Sequence, residues 1–451
     1  MRRLTTLLAA LAAAVTLLSG RVQAQTPGHV ALTQFSLPNG LHVILDEDHT
    51  AQVVAVDVWY HVGSRNERRG RSGFAHLFEH MMFEGSAHVK KDQYMKFIQS
   101  AGGRDNANTT EDHTGFYEVL PSNRLNLGLW LEADRMRSLA ITDSTFHNQR
   151  ETVKEERRLR VDNQPYAAAL FVDDYALFDS ATCFPYSHSV IGSMDDLNAA
   201  TVEDVRAFHA QYYAPNNATL VLVGDFTPAN AKRLVTQYFG DVPRASDPPP
   251  VVCHQAFDTG AMHRAVSDPK ATLPATVHAF RIPAYDNRDT PALTLLATIL
   301  GQGESSRLNR TLARQDKAAV AAQALTNPFG PRRGPGVFII LAIANQGVKV
   351  DSLDQLLTAQ LASIATGGVT EAELTKAKNA HRAGAIFERQ EALSMAEALQ
   401  SAALFLGSPD AINTDLARYD AVTVADIKRV AATYLRPDNS LTLIITPEAG
   451  K

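Results

Sequence analysis

Five consecutive residues near the start of the chain carry the most chemistry: His76-Leu77-Phe78-Glu79-His80. The run from Ser72 to Gly85 contains no proline, and Leu77, Phe78, Met81 and Met82 supply an apolar backing at helical spacing, so a helix is expected. On that helix His76 and His80 are i and i+4, which projects both imidazoles from one face about one turn apart. Such a separation suits two nitrogens meeting one tetrahedral zinc ion. Glu79 falls three residues after His76 on the same side, close enough to a water polarised by that ion to take its proton. Two histidines on an amphipathic helix can also be plain surface or core residues, and the motif alone leaves that open. A catalytic zinc further needs a third protein ligand beside its open position. Glu151, Glu155 and Glu156 lie on a highly charged helical segment downstream, and the residues by themselves single out none of them.

Composition narrows the classes. The chain has 451 residues, beyond the roughly 150–200 of one domain. Hydrophobic residues make up 45% and charged residues 20%, which excludes disordered and collagen-like chains. Lys and Arg number 43 against 48 Asp and Glu, a net −5 with no long run of either sign, so no nucleic-acid partner is expected. Two cysteines, Cys183 and Cys253, exclude a disulfide scaffold or a cysteine-rich metal site, so any metal must rest on His and carboxylates.

Arg2 and Arg3 precede an apolar stretch from Leu4 to Leu18, and Val22-Gln23-Ala24 fits the small-x-small site of signal peptidase. That stretch is shorter than the roughly 20 residues needed to span a bilayer. Residues 1–24 therefore read as a signal peptide, leaving a mature chain of net −8, with 40 basic and 48 acidic residues, from Gln25. The expectation is a soluble periplasmic protein with no membrane span in the mature chain. The two cysteines could pair there, but one falls in each of two separate segments and nothing in their spacing requires it.

An internal repeat sets the organisation. Thr201-Val202-Glu203-Asp204 and Tyr212-Tyr213-Ala214-Pro215-Asn216-Asn217 recur 222 positions later as Thr423-Val424-Ala425-Asp426 and Tyr434-Leu435-Arg436-Pro437-Asp438-Asn439. Each copy reads as an N-capped helix, a Pro-Asn turn and an apolar strand, which implies two similar halves. The divisions are 25–245, a linker at 246–265 containing Pro248-Pro249-Pro250, and 266–451. The first half opens with a hairpin around Asn39-Gly40. The alternation of Val54, Val56, Val58, Tyr60 and Val62 then predicts a strand with one buried face. Further helices are expected from about Arg124, Ser144, Pro291, Ser305 and Asp351, and strands near Val277–Ile282 and Val337–Ile343. Clusters of antiparallel-looking strands beside groups of helices give an α+β class.

With these motifs assembled, the chain resembles the pitrilysin–insulysin family of zinc peptidases, whose His-x-x-Glu-His order is the inverzincin motif. It is most similar to the short-chain type that includes mitochondrial processing peptidase. His76-x-x-Glu79-His80, Val153-Lys154-Glu155-Glu156, Asn106-Ala107-x-Thr109 and Tyr213-Ala214-Pro215-x-Asn217 fall where that family has them, and the likeness covers essentially the whole mature chain. The resemblance implies Glu156 as third zinc ligand, Glu79 as general base, one Zn2+ per chain, and two homologous α/β-sandwich halves forming a clamshell around a chamber. It also implies that Gly103–Thr109, a run of small polar residues, is a strand edge to which an extended peptide adds, with Asn106, Ala107 and Thr109 as substrate-binding residues.

Two positions depart from the pattern. Gln149 stands where the family often has a second glutamate, seven residues before the zinc glutamate. In the second half, Arg314 matches a substrate-binding arginine, but Ala321 stands where a tyrosine should follow. The implied activity is an exported zinc metalloendopeptidase cleaving unstructured peptides or short polypeptides. The alternative is a catalytically weak peptide-binding or chaperone-like subunit. A homologous partner could then supply the arginine–tyrosine pair in a heterodimer, against a chain that works alone or as a homodimer.

Overall fold

The alternating valines form β3 (Val53–Tyr60), with Val54, Val56, Val58 and Tyr60 in one hydrophobic core. Its other face is not solvated, contrary to the one-sided reading: Ala55, Asp57 and Trp59 are buried as well. The computed structural model describes residues 28–257 and 260–448, so the signal-peptide reading of residues 1–24 lies outside the described residues. Around β3 a six-stranded sheet runs β1-β2-β6-β3-β5-β4. Its other strands are β1 (Thr33–Ser36), β2 (His42–Glu47), β4 (Arg104–Thr109), β5 (Thr114–Pro121) and β6 (Ala218–Gly224). A second sheet runs β7-β11-β8-β10-β9, built from β7 (Met262–Asp268), β8 (Ala275–Ile282), β9 (Ala319–Thr326), β10 (Gly336–Ala344) and β11 (Ser440–Pro447).

The two sheets repeat one topology. In each, a parallel pair (β2 with β6, β7 with β11) continues into antiparallel strands, and both bounds of β3 recur 222 residues later in β8. The duplicated Pro-Asn turn has one physical explanation in both copies. Asn217 donates its side-chain amide to the Tyr212 carbonyl at 2.8 Å, and Asn439 does the same to Tyr434 at 2.8 Å. Each bond closes the end of a helix that Thr201 or Thr423 opens with a capping box.

Each sheet is covered on its second face by a segment of the other half. Helix Ala392–Leu406 lies on β3 and β6, where Gln400 donates to the carbonyls of Asp57 at 3.1 Å and Thr219 at 3.0 Å. In return Ala169, Leu177 and Phe178 pack on Val277, Val337 and Leu443 of the second sheet. A fully buried Leu or Phe contributes about 1.5–3 kcal/mol, so this exchange binds the halves firmly. One buried ion pair and one hydrogen bond also cross between the halves: Arg332 meets Glu111, and the backbone N–H of Arg333 donates to Asp112 at 3.1 Å. In the second half the helix expected near Ser305 starts later, at Arg307, after Gly303 takes a left-handed φ of 78°. No helix among the described residues is long and apolar enough to cross a membrane.

Cys183 and Cys253 form a disulfide across a sequence separation of 70 residues, a pairing the spacing did not call for. The proline-rich segment is tied down beside the Asp179–Cys183 turn rather than running free. His254 donates its backbone N–H to the Thr182 carbonyl at 2.9 Å, and Asp179 donates to the Gln255 side chain at 2.9 Å. Closing a loop of this size restricts the unfolded chain, so Cys253→Ser is expected to cost about 2–4 kcal/mol of stability. Denaturation midpoints of the oxidised wild type and the variant check this, and equal midpoints would contradict it.

Candidate metal centre

The histidine motif occupies α1 (Phe74–Met81), whose Leu77, Phe78 and Met81 are buried in the first core. Its start is set by Glu67, whose carboxylate accepts the N–H groups of Gly73 and Ala75, both at 2.8 Å, where the helix dipole favours negative charge. Gly73 has φ 89°, and a Cβ there would sit 2.9 Å from the Ile191 carbonyl oxygen. That close approach brings the 189–191 segment into the wall of the site.

The charged segment downstream is α2 (Asp143–Arg157), capped by Thr142 and anchored by buried Phe146 and Val153. Gln149 and Glu156 lie seven residues apart, two turns along one face, and that face meets α1. Glu156 Oε2 lies 3.1 Å from His80 Nε2 and 3.6 Å from His76 Nε2. The ligand atoms of His76, His80 and Glu156 all fall within 4.8 Å of one another, and no other group of this kind is found among the described residues. Glu155 instead points to solvent and pairs with Arg158 at 2.9 Å.

The donor set fits zinc: two imidazole nitrogens and one carboxylate oxygen converge, with room left on the cavity side. Burial and the neighbouring His80 pull His76 down to about 4, so it stays neutral, as a ligand must. At His80 burial opposes the charge, but the hydrogen bond and charge of Glu156 outweigh it and the shift is upward. The same hydrogen bond to His80 holds Glu156 below the usual carboxylate range. His80 and Glu156 thus attract each other as a proton-bearing pair, which a cation between them would replace.

Glu79 stands beside this cluster and outside it. Its Oε2 accepts the Thr109 hydroxyl at 2.6 Å. Burial raises its pKa, against the opposing pull of the Thr109 bond and of His80. Thr109 ends β4, which is an edge strand: among the described residues it pairs with β5 on one side and with no strand on the other. Asn106, Ala107 and Thr109, the expected peptide-binding positions, line the same cavity of about 790 Å³ as His76, Glu79, His80 and Glu156.

Arg314 is not brought there. It is exposed, bonds Glu304 at 2.5 Å, and does not line the cavity, while Ala321 sits on β9 opposite Ile343. Among the cavity residues that escaped the sequence reading are Arg160, Phe171 and Phe329. Arg160, one turn beyond Glu156, places a guanidinium nitrogen 3.0 Å from Glu156 Oε1, a contact its i+4 spacing could have suggested. Phe171 and Phe329 meet across the halves with ring centroids 5.3 Å apart, which no local pattern encodes.

Known proteins resemble this chain over most of its length. Residues 42–175 match the family model described as insulinase (peptidase family M16), and residues 199–380 match the peptidase M16 inactive domain. The chain is 31% identical to zinc protease PqqE of Helicobacter pylori over 95% of each sequence. It is 24% identical to a probable mitochondrial-processing peptidase subunit beta of Arabidopsis thaliana, over 89% of this chain and 75% of that one. A crystal structure of a protease from Helicobacter pylori aligns with a TM-score of 0.88 at 28% identity, covering 93% of this chain and 100% of the other. The duplicated α+β fold and these likenesses together place the chain in the insulinase family of peptidases, family M16.

Proposed function

We propose that this chain is an exported zinc metalloendopeptidase acting on unstructured peptides or short polypeptides. The observation that carries the reading is the meeting, in one cavity, of three metal-type ligands, a separate partly buried carboxylate and a sheet edge that no described strand covers. His76, His80 and Glu156 would hold one Zn2+ per chain, which when bound supplies Lewis acidity toward water and the scissile carbonyl. Glu79 takes the proton of the attacking water and returns it to the leaving amine, a double task suited to a carboxylate whose pKa is raised by burial. The free N–H and C=O groups of β4 pair with the substrate backbone as an added strand, which requires the substrate to be extended and makes binding tolerant of sequence.

Export is supported by the N-terminal pattern and by the disulfide, since such bonds persist in oxidising compartments. The mass of the chain recovered from the exported fraction of its host should correspond to a start at Gln25. A retained Met1–Ala24 segment would refute the periplasmic reading.

A second reading is favoured by Ala321 and by Arg314 turned toward Glu304: a peptide-binding or chaperone-like subunit that depends on a homologous partner for the arginine–tyrosine pair. One missing oxyanion donor costs about 100- to 1,000-fold in rate. The purified chain, assayed alone on a broad peptide pool, is expected to show turnover that a chelator abolishes and zinc restores. Binding without turnover, or turnover indifferent to chelator, would favour the second reading or remove the zinc mechanism. A large gain on adding a homologous chain would identify a heterodimer, and vigorous unaided cleavage a self-sufficient monomer or homodimer.

A further inference from the structure

Resting on the zinc reading of His76, His80 and Glu156, we propose that Glu84 is a positioning residue for His80 and acts through Gln149. The amide of Gln149 sits between the two. Its Oε1 lies 3.3 Å from His80 Nδ1, and its Nε2 donates to Glu84 Oε1 at 2.5 Å. Glu84 is itself nearly buried, with its side chain 6% exposed, and Lys91 Nζ meets its other oxygen at 2.9 Å. The turn that brings Lys91 back is tight. Gly85 has φ 109°, and a Cβ there would lie 2.9 Å from the Val89 carbonyl oxygen and 3.0 Å from the Lys91 nitrogen.

The consequence is a fixed tautomer. A carboxylate only accepts, so the nitrogen end of the Gln149 amide must face Glu84 and the oxygen end must face His80. An oxygen facing Nδ1 requires the proton on Nδ1, which leaves the lone pair on Nε2, the atom that faces Glu156 and the metal position. Without Glu84 the amide is free to turn over and offer its NH2 to Nδ1. The proton would then sit on Nε2, which cannot ligate.

The test is zinc affinity by competition with a chromophoric chelator, with the melting temperature of the metal-free protein followed in parallel. Glu84→Gln is expected to weaken zinc binding by about 10- to 100-fold, the usual effect of removing a group that orients a ligand. The exchanged double variant Glu84→Gln/Gln149→Glu should recover most of the loss. In it the carboxylate introduced at position 149 accepts from His80, and the amide introduced at position 84 donates to that carboxylate. Gln149→Met, which breaks the relay at its centre while leaving Glu84 paired with Lys91, should lose affinity to a similar degree and covers the case in which Glu84→Gln does not fold. Wild-type affinity in either single variant, or a double variant as weak as Glu84→Gln, would overturn the proposal. A wild-type chain that takes up no stoichiometric zinc would refute the metal site itself, and the relay with it, whereas tight wild-type binding with unaffected variants would refute the relay alone.

Discussion

Glu79→Gln is expected to keep near-stoichiometric zinc while cleaving peptides about 100- to 10,000-fold more slowly than wild type, the range a general base contributes. The two effects separate because Glu79 is not one of the three converging ligands. The substitution is close to isosteric, and the amide oxygen can still accept the Thr109 hydroxyl that now bonds Glu79 at 2.6 Å. What disappears is a basic oxygen beside the metal position, one whose pKa burial raises above the ordinary carboxylate value. Steady-state kcat/KM together with metal analysis of the same preparation checks this. A variant within tenfold of wild type would remove Glu79 from its role.

Deleting a ligand should instead remove metal and turnover together. His76→Ala, His80→Ala and Glu156→Ala each take away one of only three protein donors. Each also leaves a changed charge in a partly buried cluster, since Glu156 now faces both imidazoles and also meets Arg160 at 3.0 Å. Glu155→Ala, one position away, loses only an exposed pair with Arg158 and should retain both zinc and activity. Metal content after dialysis distinguishes these cases. A depleted Glu155→Ala beside a fully loaded Glu156→Ala would show the wrong glutamate to have been chosen.

The parts of this site that the sequence revealed are those governed by short-range periodicity. His76, Glu79 and His80 share a face because a helix repeats every 3.6 residues, and the duplicated Thr-x-x-Asp and Pro-Asn elements name the caps and turns they form. Glu156 was legible only through resemblance, because about 75 residues of chain separate it from His80 and no local rule bridges such a gap. The relay from Glu84 to His80 was hidden for the same reason: it needs α1, α2 and the turn at Gly85 to be packed before Gln149 acquires its two neighbours. Exchange of helical segments between the halves was also invisible. Ala392–Leu406 is apolar enough to be any core helix, and only packing shows it on β3, where it buries the face read as exposed. The cysteines paired because the proline-rich segment folds back along the Asp179–Cys183 turn, a tertiary fact without a sequence mark.

The central claim is that His76, His80 and Glu156 hold a catalytic zinc, and anomalous diffraction at the zinc edge from crystals of the zinc-loaded chain tests it most directly. The account predicts one strong peak per chain, ligated by His76 Nε2, His80 Nε2 and a Glu156 carboxylate oxygen, with no fourth protein ligand and with Glu79 close by but unbound. No peak at that position, or a peak closed off by four protein ligands, would contradict it.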